Sequence, residues 1–157
     1  MSTSDSSLAA FLDRGDICLN LPAASSEVAI RALLAHLHAR HGGFSLDRAV
    51  DAVKNREKVV STIIERHVAI PHARLPDLGR PLLAVGIAPT GITFPGSDEA
   101  VRLLFVLLGP TDNPNLMLRT LAAITRIVRK PQQISRLIGA ETADEIYEIL
   151  ATPEERM

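Results

Sequence analysis

At 157 residues the chain is the size of one ordinary domain, long enough to bury a core without disulfide staples. Seventeen Lys and Arg against eighteen Asp and Glu leave a formal charge of −1, with no Trp, one Tyr and four Phe. That balance excludes a basic field or aromatic platform for nucleic acid, and any electrostatic grip on an anionic membrane. The lone Cys18 excludes an intrachain disulfide and a Cys-based zinc site; between Ile17 and Leu19 it reads as a small buried hydrophobe. The N-terminus lacks the basic and long apolar regions of a secretory signal, and the apolar runs Leu82–Ala88 and Leu103–Leu108 are far too short to span a bilayer. The expectation is a cytoplasmic protein without membrane insertion.

In chain order, the polar Ser2–Ser7 segment is expected to be frayed, and Leu8–Leu12 has the length of one helical turn. Ile17–Leu21 predicts a short strand ending at Pro22. From Ser26 to Arg40 the spacing of Ile30, Leu33, Leu34 and Leu37 predicts a helix, capped by Ser25 or Ser26 and ended by Gly42-Gly43. Ser45 then caps a second helix through about Lys58, with Leu46, Ala49, Val50 and Val53 inward, making an αα-hairpin.

The texture changes at His67–Pro71, a short β-like run. Leu82–Ala88 reads as a central strand, and Ala100–Leu108 as a second one ending at Gly109-Pro110. Thr90-Gly91 and Pro95-Gly96 between them are turn signals. Asp112 or Asn113 caps the next helix, with Pro114 at its first position and a stripe of Leu118, Leu121, Ile124, Ile127 and Val128. Pro131 opens a short helix ending near Gly139. Thr142 with Glu145 forms a capping box for a last helix carrying Ile146, Ile149 and Leu150. Helices before and after a run of strands imply one sheet with helices packed on it.

Five histidines are the candidates for chemistry. His38 and His41 are an i,i+3 pair that could share an ion, but no Cys or nearby carboxylate completes a zinc site. His36, His38 and His41 are instead expected on the solvated side of a helix C-terminus, where the dipole favours them. His72 differs. Pro71 holds the preceding backbone extended, so His72 closes a strand at a sheet edge, ahead of a loop with Arg74.

Asn55-Arg56-Glu57-Lys58, then Ser61-Thr62, then Val68-Ala69-Ile70-Pro71-His72-Ala73 resembles the fructose/mannitol-type EIIA domain of the phosphoenolpyruvate sugar phosphotransferase system. The resemblance runs from about Ile17 to Leu150 and leans toward the nitrogen-regulatory subfamily. It implies an α/β fold: one domain over residues 1–157, a single mixed β-sheet flanked by helices on its faces. It implies that His72 accepts a phosphoryl group from an HPr-type carrier and passes it to a IIB domain, or serves a regulatory target. It also implies that Arg56 stabilises the group, with no cofactor and no metal. The chemistry fits the residue types. A neutral imidazole nitrogen is a good nucleophile near neutral pH, and a guanidinium stays charged and donates in pairs to phosphate.

Two departures bear on that expectation. Three glycines of the family's loop are replaced by Ile63, Glu65 and His67, which removes backbone freedom near the site. The family's second histidine falls at Met117, whose thioether cannot donate a hydrogen bond. Met117, His67 and Thr62 are therefore the candidates for supporting positions, with His67 as a stand-in for the missing histidine. The alternative function is an interaction or ligand-sensing module that kept the fold with impaired phosphotransfer.

Overall fold

In a computed structural model the described residues are 8–22, 25–59 and 63–152; the Ser2–Ser7 expectation lies outside them. After two short 3-10 turns, Leu8–Ala10 and Arg14–Asp16, the chain runs β1 (Ile17–Cys18), α1 (Ser26–His41) and α2 (Leu46–Val59). Then come β2 (Ile63–Glu65), β3 (Val68–Ala69), β4 (His72–Leu75), β5 (Leu82–Ile92) and β6 (Val101–Pro110). Three helices close the order: α3 (Pro114–Val128), α4 (Pro131–Ile138) and α5 (Ala143–Ala151). Three of the anticipated caps form: Ser25 Oγ accepts from the Val28 amide, Ser45 Oγ from the Arg48 amide, and Thr142 and Glu145 complete a reciprocal capping box, whereas Asn113 at the start of α3 makes no side-chain cap hydrogen bond.

The six strands make one mixed sheet in the order β1-β5-β6-β3-β2, with β4 also paired to β6. β5 and β6 are antiparallel, whereas β1 on β5 and both β3 and β4 on β6 are parallel. The continuous apolar runs Leu82–Ala88 of β5 and Leu103–Leu108 of β6 follow from having a helical layer on each face. Along β6, Leu104, Val106 and Leu108 join the core beneath α1 and α2, while Leu103, Phe105 and Leu107 join the core beneath α3, α4 and α5.

Four expectations shift. The strand at Ile17 is only two residues long, although the Leu21 amide still donates to the Ile87 carbonyl at 2.8 Å. The Thr90-Gly91 turn signal lies inside β5: pairing slips between Ile87 and Ile92, and Gly91 takes φ 90° with its α-carbon facing Ala100. A side chain at Gly91 would meet the Ala100 Cβ at 2.5 Å, so the irregularity requires glycine twice over. Cys18 is half-buried, and burial together with the neighbouring Asp16 pushes its thiol pKa up.

The fourth shift concerns the α1 histidines, of which only His38 is solvated, edge-on to Phe44. Asp16 is 3% exposed; His41 Nε2 donates to its Oδ2 at 2.7 Å, and Arg40 Nε pairs with its Oδ1 at 3.0 Å. His36 Nε2 donates to the Gly15 carbonyl at 2.6 Å. A buried carboxylate needs such partners, and it draws the end of α1 onto the Arg14–Asp16 turn.

Phe105 is fully buried in the centre of β6. Phe105→Ala should therefore cost about 3–5 kcal/mol, read as a lowered midpoint in chemical denaturation at an unchanged slope.

Candidate functional site

The site begins with Pro71. β3 and β4 lie in line along one side of β6, Val68 opposite Leu103 and His72 opposite Leu107. Between them the Leu107 amide donates to the Pro71 carbonyl at 3.0 Å, but Pro71 has no N–H to return. Pairing breaks there and resumes at His72, so His72 opens a strand, and Arg74 lies within that strand instead of in a loop. Alternation along β4 turns Ala73 and Leu75 into the core beneath α1 and α2, and leaves His72 half-buried and Arg74 exposed on the opposite side.

The imidazole is held by its own backbone. His72 Nδ1 lies 2.7 Å from the Ile70 carbonyl oxygen. A carbonyl only accepts, so Nδ1 carries the proton and Nε2 keeps its lone pair in the neutral ring. The ring lines an open cavity of about 600 Å³ bounded by the end of α2, the edge strand β4 and the start of α3. From α2 come Asn55 and Arg56; from the β6–α3 junction come Thr111 and Pro114; from α3 come Met117 and Leu118. No aspartate or glutamate among the described residues lines it.

The structure thus brings His72, Arg56 and Met117 to one cavity, as the sequence reading anticipated. Met117 is 5% exposed and packs on Gly109, where a Cβ would meet its Cε at 2.8 Å. Leu118, expected in the buried stripe of α3, is instead 61% exposed at the cavity rim, because α3 meets the sheet through Met117, Thr120, Ile124 and Val128. His67 is not at the site. It sits in the β2–β3 turn at φ 67°, its Nδ1 donating to the Ala100 carbonyl at 2.9 Å. Four strand positions separate Leu103 from Leu107 in the register, which puts His67 about 13 Å or more from His72, toward the other end of β6. Thr62 lies outside the described residues. The residue that sequence reading missed is Arg74; its signal was the period of two that carries it onto the His72 side once β4 is known to be a strand.

Residues 10–152 match the family described as phosphoenolpyruvate-dependent sugar phosphotransferase system, EIIA 2. The chain belongs to that family. It is 34% identical over 122 residues to a nitrogen regulatory protein of Klebsiella oxytoca, covering 75% of this chain and 74% of that one. Its fold matches that of the nitrogen regulatory protein IIA-Ntr of Neisseria meningitidis with a TM-score of 0.84 at 24% identity, covering 91% of this chain and 98% of that one. It also matches mannitol enzyme IIA of Escherichia coli, solved in complex with phosphorylated enzyme IIB, with a TM-score of 0.75 at 25% identity over 89% and 96% of the two chains. The protein is an EIIA-type phosphocarrier or regulator of the phosphotransferase system. No helix among the described residues is long and apolar enough to cross a membrane.

The Nδ1–carbonyl contact makes a direct prediction. Long-range ¹H–¹⁵N correlation spectra of the neutral His72 ring should show the Nδ1–H tautomer; a spectrum with the proton on Nε2 would contradict the geometry.

Proposed function

We propose that the protein carries a phosphoryl group on His72 Nε2, received from a histidine-phosphorylated HPr-type carrier in the cytoplasm. The observation that supports this most is the Nδ1 contact to the Ile70 carbonyl, which leaves Nε2 as the free nucleophile in a cavity containing Arg56. In the transfer, the His72 Nε2–P bond forms as the carrier's N–P bond breaks, and the carrier imidazole leaves with the bonding pair. The His72 ring gains positive character as Nε2 bonds to phosphorus. Its Nδ1–H already points at the negative end of a carbonyl dipole, so the developing charge is met without rearrangement. Arg56 donates to the phosphoryl oxygens, whose charge has to be neutralised through the transition state. The start of α3 at Pro114 adds the positive end of a 15-residue helix to the same cavity.

The phosphoryl group then passes to a IIB domain, or its presence is read by a regulatory target. The 34% identity to a nitrogen regulatory protein favours regulation. One observation favours the second reading, an EIIA-fold interaction module with impaired transfer: Met117 is buried against the cavity where a hydrogen-bond donor would assist.

Incubation with phosphoenolpyruvate, enzyme I and a carrier should add one acid-labile phosphoryl group, detected by intact mass. His72→Ala should abolish the labelling while circular dichroism stays native; undiminished labelling of that variant would end the assignment. Arg56→Ala should slow labelling by about 10²-fold with stability unchanged, because Arg56 is exposed. Met117→His should speed phosphoryl exchange with the carrier by about tenfold, the worth of one hydrogen bond of about 1.4 kcal/mol in the transition state. No gain there would make Met117 ordinary core packing.

A further inference from the structure

The cavity holds a second cation that the sequence did not single out. Arg74 lines the same 600 Å³ space as His72 and Arg56. It stands two residues after His72 on β4, and strand alternation puts the two side chains on one side of the sheet. Its side chain is exposed, and it has no ion-pair or hydrogen-bond partner among the described residues. Arginines used to brace the fold look different: Arg14 holds Asp144 and Glu148, Arg40 holds Asp13 and Asp16, and Arg66 holds Glu99.

Charge balance gives that position a task. A phosphoryl group on a ring nitrogen presents three oxygens and close to two negative charges near neutral pH. One guanidinium leaves about half of that charge unmet, and among the described residues the lining supplies no other formal cation besides Arg74 and His72 itself. The apolar wall made by Met117, Leu118 and Leu121 raises the cost of unmet charge, because it excludes water from one side. Among the described residues no carboxylate lines the cavity.

We infer that Arg74 is a second phosphoryl-binding arginine, closing on the group from the strand side while Arg56 closes from α2. The inference rests on His72 being the acceptor. Arg74 touches only the phosphoryl oxygens; the bond made is still His72 Nε2–P and the bond broken is still that of the donor nitrogen, with Arg74 keeping all its protons. It supplies charge and paired N–H donors where the side chain of Met117 supplies neither.

The experiment uses two donors. One is a histidine-phosphorylated carrier protein; the other is phosphoramidate, too small to engage any docking surface. Acid-labile labelling of His72 is timed with each donor for the wild type, Arg74→Ala, Arg74→Gln and Arg74→Lys. Loss of Arg74 should slow labelling about tenfold or more with both donors, and Lys should restore part of it, because it keeps the charge without the fork. The second readout is ³¹P titration of the phosphorylated protein. A nearby cation favours the dianion, so removing Arg74 should raise the second phosphoryl pKa, which a purely structural arginine would leave in place. Arg74→Gln retains a long polar stem and serves if the alanine variant folds poorly. Slowing confined to the protein donor would make Arg74 a docking contact and overturn the inference. Unchanged rates and an unchanged pKa would overturn it as well. A wild type that takes label from neither donor would instead overturn the acceptor role of His72, and this inference with it.

Discussion

β6 carries hydrogen-bond ladders on both sides, β5 on one and β3 followed by β4 on the other, and its faces are buried under separate helical layers. Where a strand is so enclosed it must be apolar on both faces, and Leu103–Leu108 has no polar side chain, while Arg102 at the exposed end does. The site depends on that rigidity. β3 and β4 are two and four residues long, too short to hold a geometry alone. They borrow it from β6, whose register at Leu107 fixes where His72 stands.

Pro71 then converts a strand into a site. An ordinary residue there would extend the ladder from β3 into β4. Without an N–H at Pro71 one ladder bond to β6 is missing while the register is kept, Val68 opposite Leu103 and His72 opposite Leu107, and the Ile70 carbonyl accepts from the ring two residues on. The same local arrangement thus sets the position of the imidazole and its tautomer. Ile-Pro-His is a short string, and its spacing has a mechanical reading: carbonyl, break, ring.

Much of this was legible in the sequence where a signal is local. Helix caps at Ser25, Ser45 and Thr142 depend on residues three positions away, and they form as read. The two long strands announce themselves by apolar runs. His72, Arg56 and Met117 meet because the order of elements brings the end of α2, β4 and the start of α3 together, which the family pattern encodes. What failed was non-local. His67 reads as a candidate stand-in for a second histidine beside His72, yet a β-ladder spaces them along β6 and the Ala100 carbonyl engages its ring. The α1 histidines looked solvated because nothing in their own helix reveals Asp16, which lies 25 residues before His41 and is buried by tertiary packing. Leu118 fits a helical stripe by period, but α3 is rolled so that Met117 and Thr120 meet the sheet instead.

That roll of α3 ties packing to chemistry. Gly109 has no side chain, so Met117 settles directly on β6 and the helix start comes down beside His72. The contact has two effects of opposite sign. It puts a side chain that cannot donate a hydrogen bond in the wall of the cavity that His72 lines. It also lowers the polarity of one cavity wall, which strengthens any charge–charge attraction within it. The balance turns on how much cationic charge the remaining walls supply. With a single guanidinium, an apolar wall would burden a group carrying nearly two negative charges. With guanidinium groups from both α2 and β4, the same wall would sharpen their hold. The thioether at position 117 and the arginine at position 74 are therefore best understood together, since the first is tolerable for phosphoryl chemistry to the extent that the second takes part.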